Sequence, residues 1–191
     1  MSRYFYDCEF IDDGETIDLI SIGFVAEDGR ELYMQSTEFY PQKASQWVQG
    51  NVIPRLVPCP RFPLALQMVI HSTGQCLFEE PGKGIAGAYA ECPWRTREQI
   101  KRELLAFLDI EAYGKPELWG YYSAYDHIAF CQLFGTMMDL PKGFPMLTYD
   151  LRQWLDMKGM ADVYRPDDSV HNSLEDARWV AETYKRLVTG R

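Results

Sequence analysis

The amino-acid sequence predicts one α/β domain in which a mixed, five-stranded β-sheet is flanked by helices. Three hydrophobic segments separated by short turns open the chain, and later hydrophobic segments alternate with helical patterns. Antiparallel strands followed by alternating helices and strands are typical of a mixed sheet covered by helices. The length of 191 residues fits a single domain, and a hydrophobic content of 47% supports a substantial core.

The strands are predicted from short apolar segments bounded by turn residues. The first is aromatic, which fits a buried strand, and a Glu-Asp-Gly turn at residues 27–29 joins the second and third as a hairpin. The predicted strands comprise residues 3–9, 16–26, 30–37, 117–122 and 146–149. The first three are consecutive, so we expect them to pair in antiparallel fashion.

Helices are predicted from capping residues and apolar periodicity. The clearest start is a capping box with Thr96 as the N-cap and Gln99 at the third helical position. One apolar face follows, formed by Ile100, Leu104, Leu105 and Leu108. The other predicted helices comprise residues 44–52, 125–135, 151–158 and 173–187.

A proline-rich segment interrupts this pattern. Residues 54–93 hold six of the eleven prolines, and residues 81–87 are rich in glycine. Structureless loops of this length are uncommon in compact domains. We therefore predict that residues 1–191 form one domain carrying an insertion at about 58–93, with one strand at residues 66–71.

The net charge of −9 argues against a simple nucleic-acid-binding protein, because such proteins usually present a basic face to phosphates. The objection weakens if part of this charge is a carboxylate cluster that binds divalent metals, since the metals would then attract phosphate. The absence of a long apolar run and of a signal-peptide core predicts a cytoplasmic protein. Five cysteines, an odd number, fit free thiols in a reducing compartment.

Asp7 and Glu9 are the first candidate metal ligands. Residues two apart on a strand face the same side, so two carboxylates point together out of an otherwise aromatic segment. Burying both is costly unless a cation neutralises them. The alternative is a pair of surface carboxylates at a strand end.

Three further candidates come from the second half of the chain. Asp126 follows a hydrophobic strand and opens a helix, and Asp176 lies in the first turn of the last helix, which Asn172 or Ser173 caps. The alternative for Asp126 is an aspartate favoured by the helix macrodipole, and the alternative for Asp176 is a capped helix start with an incidental histidine before it. His171 lies on the loop before the last helix, where it can accept and release a proton near neutral pH.

Taken together in this order, the residues resemble the DEDDh family of 3′–5′ exonucleases, whose pattern is Asp-x-Glu, then Asp, then His-x4-Asp. The matching residues are Asp7, Glu9, Asp126, His171 and Asp176. Other segments resemble the bacterial branch called polyadenylate-specific 3′-exoribonuclease AS, which a mycobacterial RNase typifies. These segments are residues 4–14, 19–23, 26–29, 36–39, 124–127 and 131–133.

The resemblance implies a ribonuclease H-like fold, two Mg²⁺ or Mn²⁺ ions, single-stranded RNA 3′ ends as substrate, nucleoside 5′-monophosphates as product and a homodimer. It also implies a preference for adenosine-rich ends. Two features depart from the pattern. Tyr122 stands where the wider family often has Asn, and the segment at 58–93 is longer than this branch usually carries.

The resemblance also suggests a mechanism. Asp7, Glu9 and Asp176 would hold the ion that binds the attacking water, and Asp7 and Asp126 would help to hold the second. His171 would act as the general base. Phe10 is the leading candidate to stack on the terminal base, followed by Tyr122 and Tyr125, which are expected more often in a core.

Two other functions stay open at this stage. The chain could be a proofreading-type DNA 3′–5′ exonuclease, because contacts to a 2′-hydroxyl have no sequence motif. It could also be a non-catalytic oligonucleotide-binding module on the same fold, although all five catalytic positions are present.

Overall fold

The computed structural model describes residues 2–57, 93–160, 163–165 and 171–189. The predicted insertion, except Pro93, and its strand at 66–71 lie outside the described residues. None of the helices in the described ranges is long and apolar enough to cross a membrane.

Six strands form one mixed sheet, which confirms the predicted fold class. The strands are β1 (Ser2–Asp12), β2 (Ile17–Ala26), β3 (Glu31–Ser36), β4 (Trp94–Arg95), β5 (Pro116–Gly120) and β6 (Tyr149–Asp150), in the spatial order β4-β3-β2-β1-β5-β6. β1, β2 and β3 pair in antiparallel fashion, whereas β5 lies parallel to β1 and β6 parallel to β5. The additional strand is β4, whose two residues pair with the end of β3.

The predicted helices are present with small shifts at their ends, and one helix of four residues, Ile110–Tyr113, was not predicted because it is too short to show an apolar period. In chain order the helices are α1 (Gln46–Asn51), α2 (Arg97–Leu108), α3 (Ile110–Tyr113), α4 (Ala124–Gln132), α5 (Leu151–Met157) and α6 (Ser173–Thr189). The capping box at α2 is confirmed, because the Thr96 hydroxyl accepts the Gln99 N–H and the Gln99 side chain accepts the Thr96 N–H. On α2, Leu105 is exposed rather than part of the buried face, because the three other apolar residues suffice to cover the sheet.

The side chains of β1 alternate between two cores. Tyr4 and Tyr6 enter the main core, which α2 and α4 cover, and the Tyr6 ring stacks on Phe24 of β2. Phe5 points to the opposite face, where it packs with Val180 of α6. Because side chains on a strand alternate with a period of two, Asp7 and Glu9 lie on the Phe5 face, towards α6.

Candidate active site

A close contact between α6 and β2 brings the last helix onto the acidic end of β1. Gly23 pairs with Asp7 across the strands, and a Cβ at Gly23 would lie 2.4 Å from backbone atoms of Ser173 and Leu174. Only glycine therefore permits this approach. The hydroxyl of Ser173 also lies 3.1 Å from that of Ser21 on β2, in a buried hydrogen bond.

This contact assembles three carboxylates. Ligand oxygens of Asp7, Glu9 and Asp176 all lie within 4.8 Å of one another. Asp176 comes from the first turn of α6, as predicted, and is only 3% exposed. β1 changes register against β2 directly after Glu9, and irregularities of this kind are common beside active sites.

The charges of this cluster suit a divalent cation. Burial and then the neighbouring carboxylates raise the pKa of Asp7 well above its ordinary value. Burial, followed by the charge of Asp176, raises the pKa of Glu9 to about 8. Oxygen donors forced together in this way are the ligands that Mg²⁺ and Mn²⁺ prefer, and a cation would relieve their mutual repulsion. The residues present therefore fit such a metal.

Asp126 joins this site from α4 and is 5% exposed. Its Oδ1 accepts a hydrogen bond of 3.0 Å from the backbone N–H of Cys8, the residue between the two carboxylates of β1. Burial raises the pKa of Asp126 to about 8, and its charge contributes to the raised pKa of Asp7. Asp126 thus borders the cluster without belonging to the group of three.

A tight turn after β5 places Asp126. A Cβ at Gly120 would lie 2.5 Å from the Cβ of Ser123, and Tyr122 has a φ of 58°, which non-glycine residues seldom adopt. The N–H of Ser123 donates to Asp150 at 2.9 Å, which ties the turn to the start of α5. Asp150 is the N-cap of α5, because its other oxygen accepts N–H groups of that helix.

Arg165 provides a positive charge inside the acidic cluster. Its guanidinium forms a salt bridge with Asp176. Burial raises the pKa of Asp176 to about 7, and the charge of Arg165 opposes this rise. The same charge lowers the pKa of both Asp7 and Glu9, so Arg165 partly neutralises all three carboxylates.

His171 lies directly before α6, whose first turn Asn172 caps by accepting the N–H groups of Leu174 and Glu175. Its imidazole packs edge to face on the indole of Trp47, with ring centroids 4.7 Å apart. Burial, followed by the charges of Arg165 and Arg55, lowers the pKa of His171. No hydrogen bond or ion pair within the described ranges joins His171 to a carboxylate. Arg165, which influences both His171 and Asp176, connects the two electrostatically.

Comparisons with known proteins gave one negative and one positive result. No family model matches the chain. The chain is, however, 42% identical over 187 residues to the 3′-5′ exoribonuclease Rv2179c of Mycobacterium tuberculosis H37Rv, covering 98% of this chain and 93% of the relative. The 3′-5′ exoribonuclease of strain CDC 1551 matches to the same extent. The chain belongs to this mycobacterial-type 3′–5′ exoribonuclease family.

In this family member, the three aromatic residues predicted to bind substrate lie near the acidic site. Phe10 directly follows Glu9, and its ring stacks on Tyr125 of α4 with centroids 6.0 Å apart. Tyr122 is 63% exposed and Tyr125 is 49% exposed. The alternative that these two tyrosines belong to a core is therefore disfavoured, because both lie on the turn and helix start that leave the sheet after β5.

Two neighbours of the exoribonuclease site were not predicted from the sequence. Arg165 is a single cation in a loop, and Trp47 is a single aromatic residue on a short helix. Neither has a periodicity or a spacing that distinguishes it from an ordinary surface residue. Only tertiary structure brings Arg165 to Asp176 and Trp47 to His171.

Proposed function

We propose that this protein is a metal-dependent 3′–5′ exoribonuclease that degrades single-stranded RNA to nucleoside 5′-monophosphates. The observation that carries the proposal is the group of Asp7, Glu9 and Asp176 within 4.8 Å, bordered by Asp126. The exoribonuclease names of the two mycobacterial relatives support the reaction class.

The carboxylates would divide between two Mg²⁺ or Mn²⁺ ions. Asp7, Glu9 and Asp176 would hold one ion, and Asp7 together with Asp126 would hold the second. When bound, such a pair stabilises charge on the attacking and leaving oxygens of a displacement at phosphorus. The Cys8 N–H would keep Asp126 oriented, because it occupies one oxygen of that carboxylate.

His171 would be the general base. Its lowered pKa keeps the imidazole neutral near pH 7, so a ring nitrogen can accept a proton from the attacking water. His171 sits on a loop, and the loop would carry the ring towards the reacting phosphate when RNA binds. Apo structures often show such catalytic contacts longer than they are in the substrate complex.

The aromatic residues beside the carboxylates would receive the 3′-terminal base. Phe10 and Tyr125 already stack on each other next to Glu9, and the exposed ring of Tyr122 follows β5. Stacking tolerates any base but is strongest for purines, which is compatible with adenosine-rich ends. In this arrangement the RNA strand would pass the metal site, and the protein would not recognise its base sequence by hydrogen bonds.

Matched RNA and DNA oligonucleotides with 5′ labels test the proposal. With Mg²⁺ we expect RNA to shorten from its 3′ end with release of nucleoside 5′-monophosphates, and we expect EDTA to stop the reaction. Faster loss of the DNA strand would favour a proofreading-type DNA exonuclease. Binding of either strand without shortening would favour a non-catalytic oligonucleotide-binding module.

We also propose that the protein acts as a homodimer in the cytoplasm. Both statements derive from the family resemblance and from the composition, and sedimentation of the purified protein checks the first. A monomer at micromolar concentration would contradict it.

A further inference from the structure

The surface next to His171 combines an exposed aromatic ring with an exposed cation. Trp47 is 54% exposed although tryptophan is usually well buried, and its ring contacts the imidazole of His171. Arg55 is exposed, and its charge lowers the pKa of His171, so its guanidinium lies in the same neighbourhood. No carboxylate within the described ranges forms an ion pair with Arg55.

This surface is rigidly attached to the strands that carry the carboxylates. Val52, Ile53 and Leu56 are buried between α1 and the sheet, where they pack with Ile11 of β1 and Ile20 of β2. The exposed residues of the same segment therefore keep a fixed position relative to the acidic cluster. Trp47 and Arg55 are held on a support rather than on a free loop.

Hydrogen bonds through Asn51 connect the backbone of Trp47 to the side chain of Arg55. The side-chain amide of Asn51 donates to the carbonyl of Trp47 at 2.8 Å. Nε of Arg55 donates to the carbonyl of Asn51 at 3.1 Å, which restrains the guanidinium. The guanidinium of Arg55 is thus tied to the same short stretch of chain that carries Trp47.

We propose that Trp47 and Arg55 form a second nucleotide-binding site, in which Trp47 stacks on a base and Arg55 pairs with a backbone phosphate of the RNA strand. This inference rests on the proposed function and deepens it. The terminal base is already accounted for by Phe10, Tyr122 and Tyr125. The Trp47–Arg55 site therefore takes a nucleotide upstream of the scissile phosphate.

Charge complementarity favours RNA as the occupant. The chain carries a net charge of −9, and a polyanion approaching it meets repulsion over most of the surface. Arg165 is paired with Asp176, whereas Arg55 pairs with no carboxylate in the described ranges, so the cations near His171 include one that is available to a phosphate. An aromatic ring next to such cations is the usual arrangement for sequence-tolerant binding of single strands.

Binding measurements with a phosphorothioate-linked oligoadenylate, which resists cleavage, test this site. Trp47→Ala should weaken binding about tenfold, because base stacking contributes roughly 1–3 kcal/mol and about 1.4 kcal/mol corresponds to tenfold. Trp47→Phe should retain most of the affinity. Binding of the oligoadenylate should quench the tryptophan fluorescence of wild type. This quenching should be largely lost in Trp47→Phe.

Arg55→Gln should weaken the same binding and reduce its dependence on salt concentration by about 0.7 in logarithmic slope, the contribution of one phosphate contact to a single strand. Arg186→Gln is the matched control, because Arg186 is exposed on α6 and pairs with Glu182. We expect the control to bind like wild type. Wild-type affinity and wild-type salt dependence in Arg55→Gln would contradict the assignment of Arg55.

A small phosphodiester separates this role from mere support of His171. The p-nitrophenyl ester of adenosine 5′-monophosphate lacks an upstream nucleotide, so Trp47→Ala should leave the KM for this ester near the wild-type value while it raises the KM for an unmodified oligoadenylate. Unchanged affinity for the oligoadenylate with a lower rate on both substrates would overturn the proposal and make Trp47 a positioning residue. Failure of wild type to shorten unmodified RNA would instead contradict the proposed function itself.

Discussion

The guanidinium of Arg165 forms a salt bridge with Asp176, one of the three carboxylates gathered between β1 and α6. Arg165 also lowers the pKa of Asp7 and Glu9, so a single cation stabilises the cluster without metal. A divalent ion coordinated by the same oxygens must compete with this guanidinium. The salt bridge and a bound metal would therefore be two alternative ways of neutralising the site.

If the Arg165 guanidinium and a divalent ion compete for the same carboxylates, Arg165→Gln should bind the metal more tightly than wild type. We expect Mn²⁺ affinity, measured by titration calorimetry at pH 8, to rise about tenfold, a coupling of about 1.4 kcal/mol between the two cations. Arg186→Gln serves as the control, because Arg186 pairs with Glu182 towards the other end of α6 from Asp176. Equal or weaker Mn²⁺ binding in Arg165→Gln would mean that the arginine and the metal do not share the site.

His171→Ala should separate catalysis from metal binding. Loss of a general base typically lowers the rate about 10²–10⁴-fold. Mn²⁺ affinity should stay near the wild-type value, since no described contact joins His171 to a carboxylate. Single-turnover hydrolysis of a labelled oligoadenylate measures the first effect and calorimetry the second. A variant that keeps almost full activity would refute the assigned role.

The stability of the metal-free protein should fall as pH rises from about 5 to 9. The folded pKa values of Glu9 and Asp126 are about 8, and that of Asp176 is about 7. At pH values between the ordinary carboxyl pKa and these raised pKa values, the folded state holds more protons than the unfolded state. The free energy of unfolding therefore decreases as pH rises. Thermal melting in EDTA measures this decrease.

A bound metal should reverse the fall in stability with rising pH, because ionised carboxylates bind metal best. We expect Mn²⁺ to raise the melting temperature more at pH 8.5 than at pH 6. Glu9→Gln removes one of the groups with a raised pKa, so the melting temperature in EDTA should depend less on pH in this variant. A metal-free wild type that becomes more stable towards pH 9 would show that these carboxylates are not held together as described.

Gly23→Ala should separate α6 from β2. The added Cβ would meet the backbone of Ser173 and Leu174 at 2.4 Å, and overpacking of this kind costs about 1–3 kcal/mol. The displaced helix would carry Asp176 away from Asp7, so Mn²⁺ binding should weaken as well. Gly50→Ala is the control, because nothing lies within 4 Å of a Cβ there. Normal Mn²⁺ binding in Gly23→Ala would contradict this account of how the cluster is assembled.

Local patterns were sufficient to predict most of the fold. The alternation along β1 correctly placed Asp7 and Glu9 on one face, and the capping box at Thr96 located the start of α2. Both depend on neighbours in sequence, so they can be read without tertiary structure. The two-residue strand β4 was not predicted, because so short a segment has no period and pairs only after β3 is in place.

The candidate site was predicted from a family resemblance rather than from local patterns. The resemblance to the DEDDh pattern joined Asp7 and Glu9 to Asp126 and Asp176; in the structure Asp7, Glu9 and Asp176 lie together and Asp126 borders them. Arg165 and Trp47 reach the site from isolated positions, where only the tertiary fold determines their neighbours. The sequence around Gly23 also gave no indication of a close approach between β2 and α6, although the contact that this glycine permits brings the carboxylates together.

Anomalous diffraction from crystals soaked in Mn²⁺ tests the central claim most directly. We expect one peak among Asp7, Glu9 and Asp176 and a second beside Asp126, about 3.5–4 Å from the first. The guanidinium of Arg165 should have left Asp176. A map without anomalous density among these carboxylates, and with Arg165 still bonded to Asp176 at saturating Mn²⁺, would contradict the account.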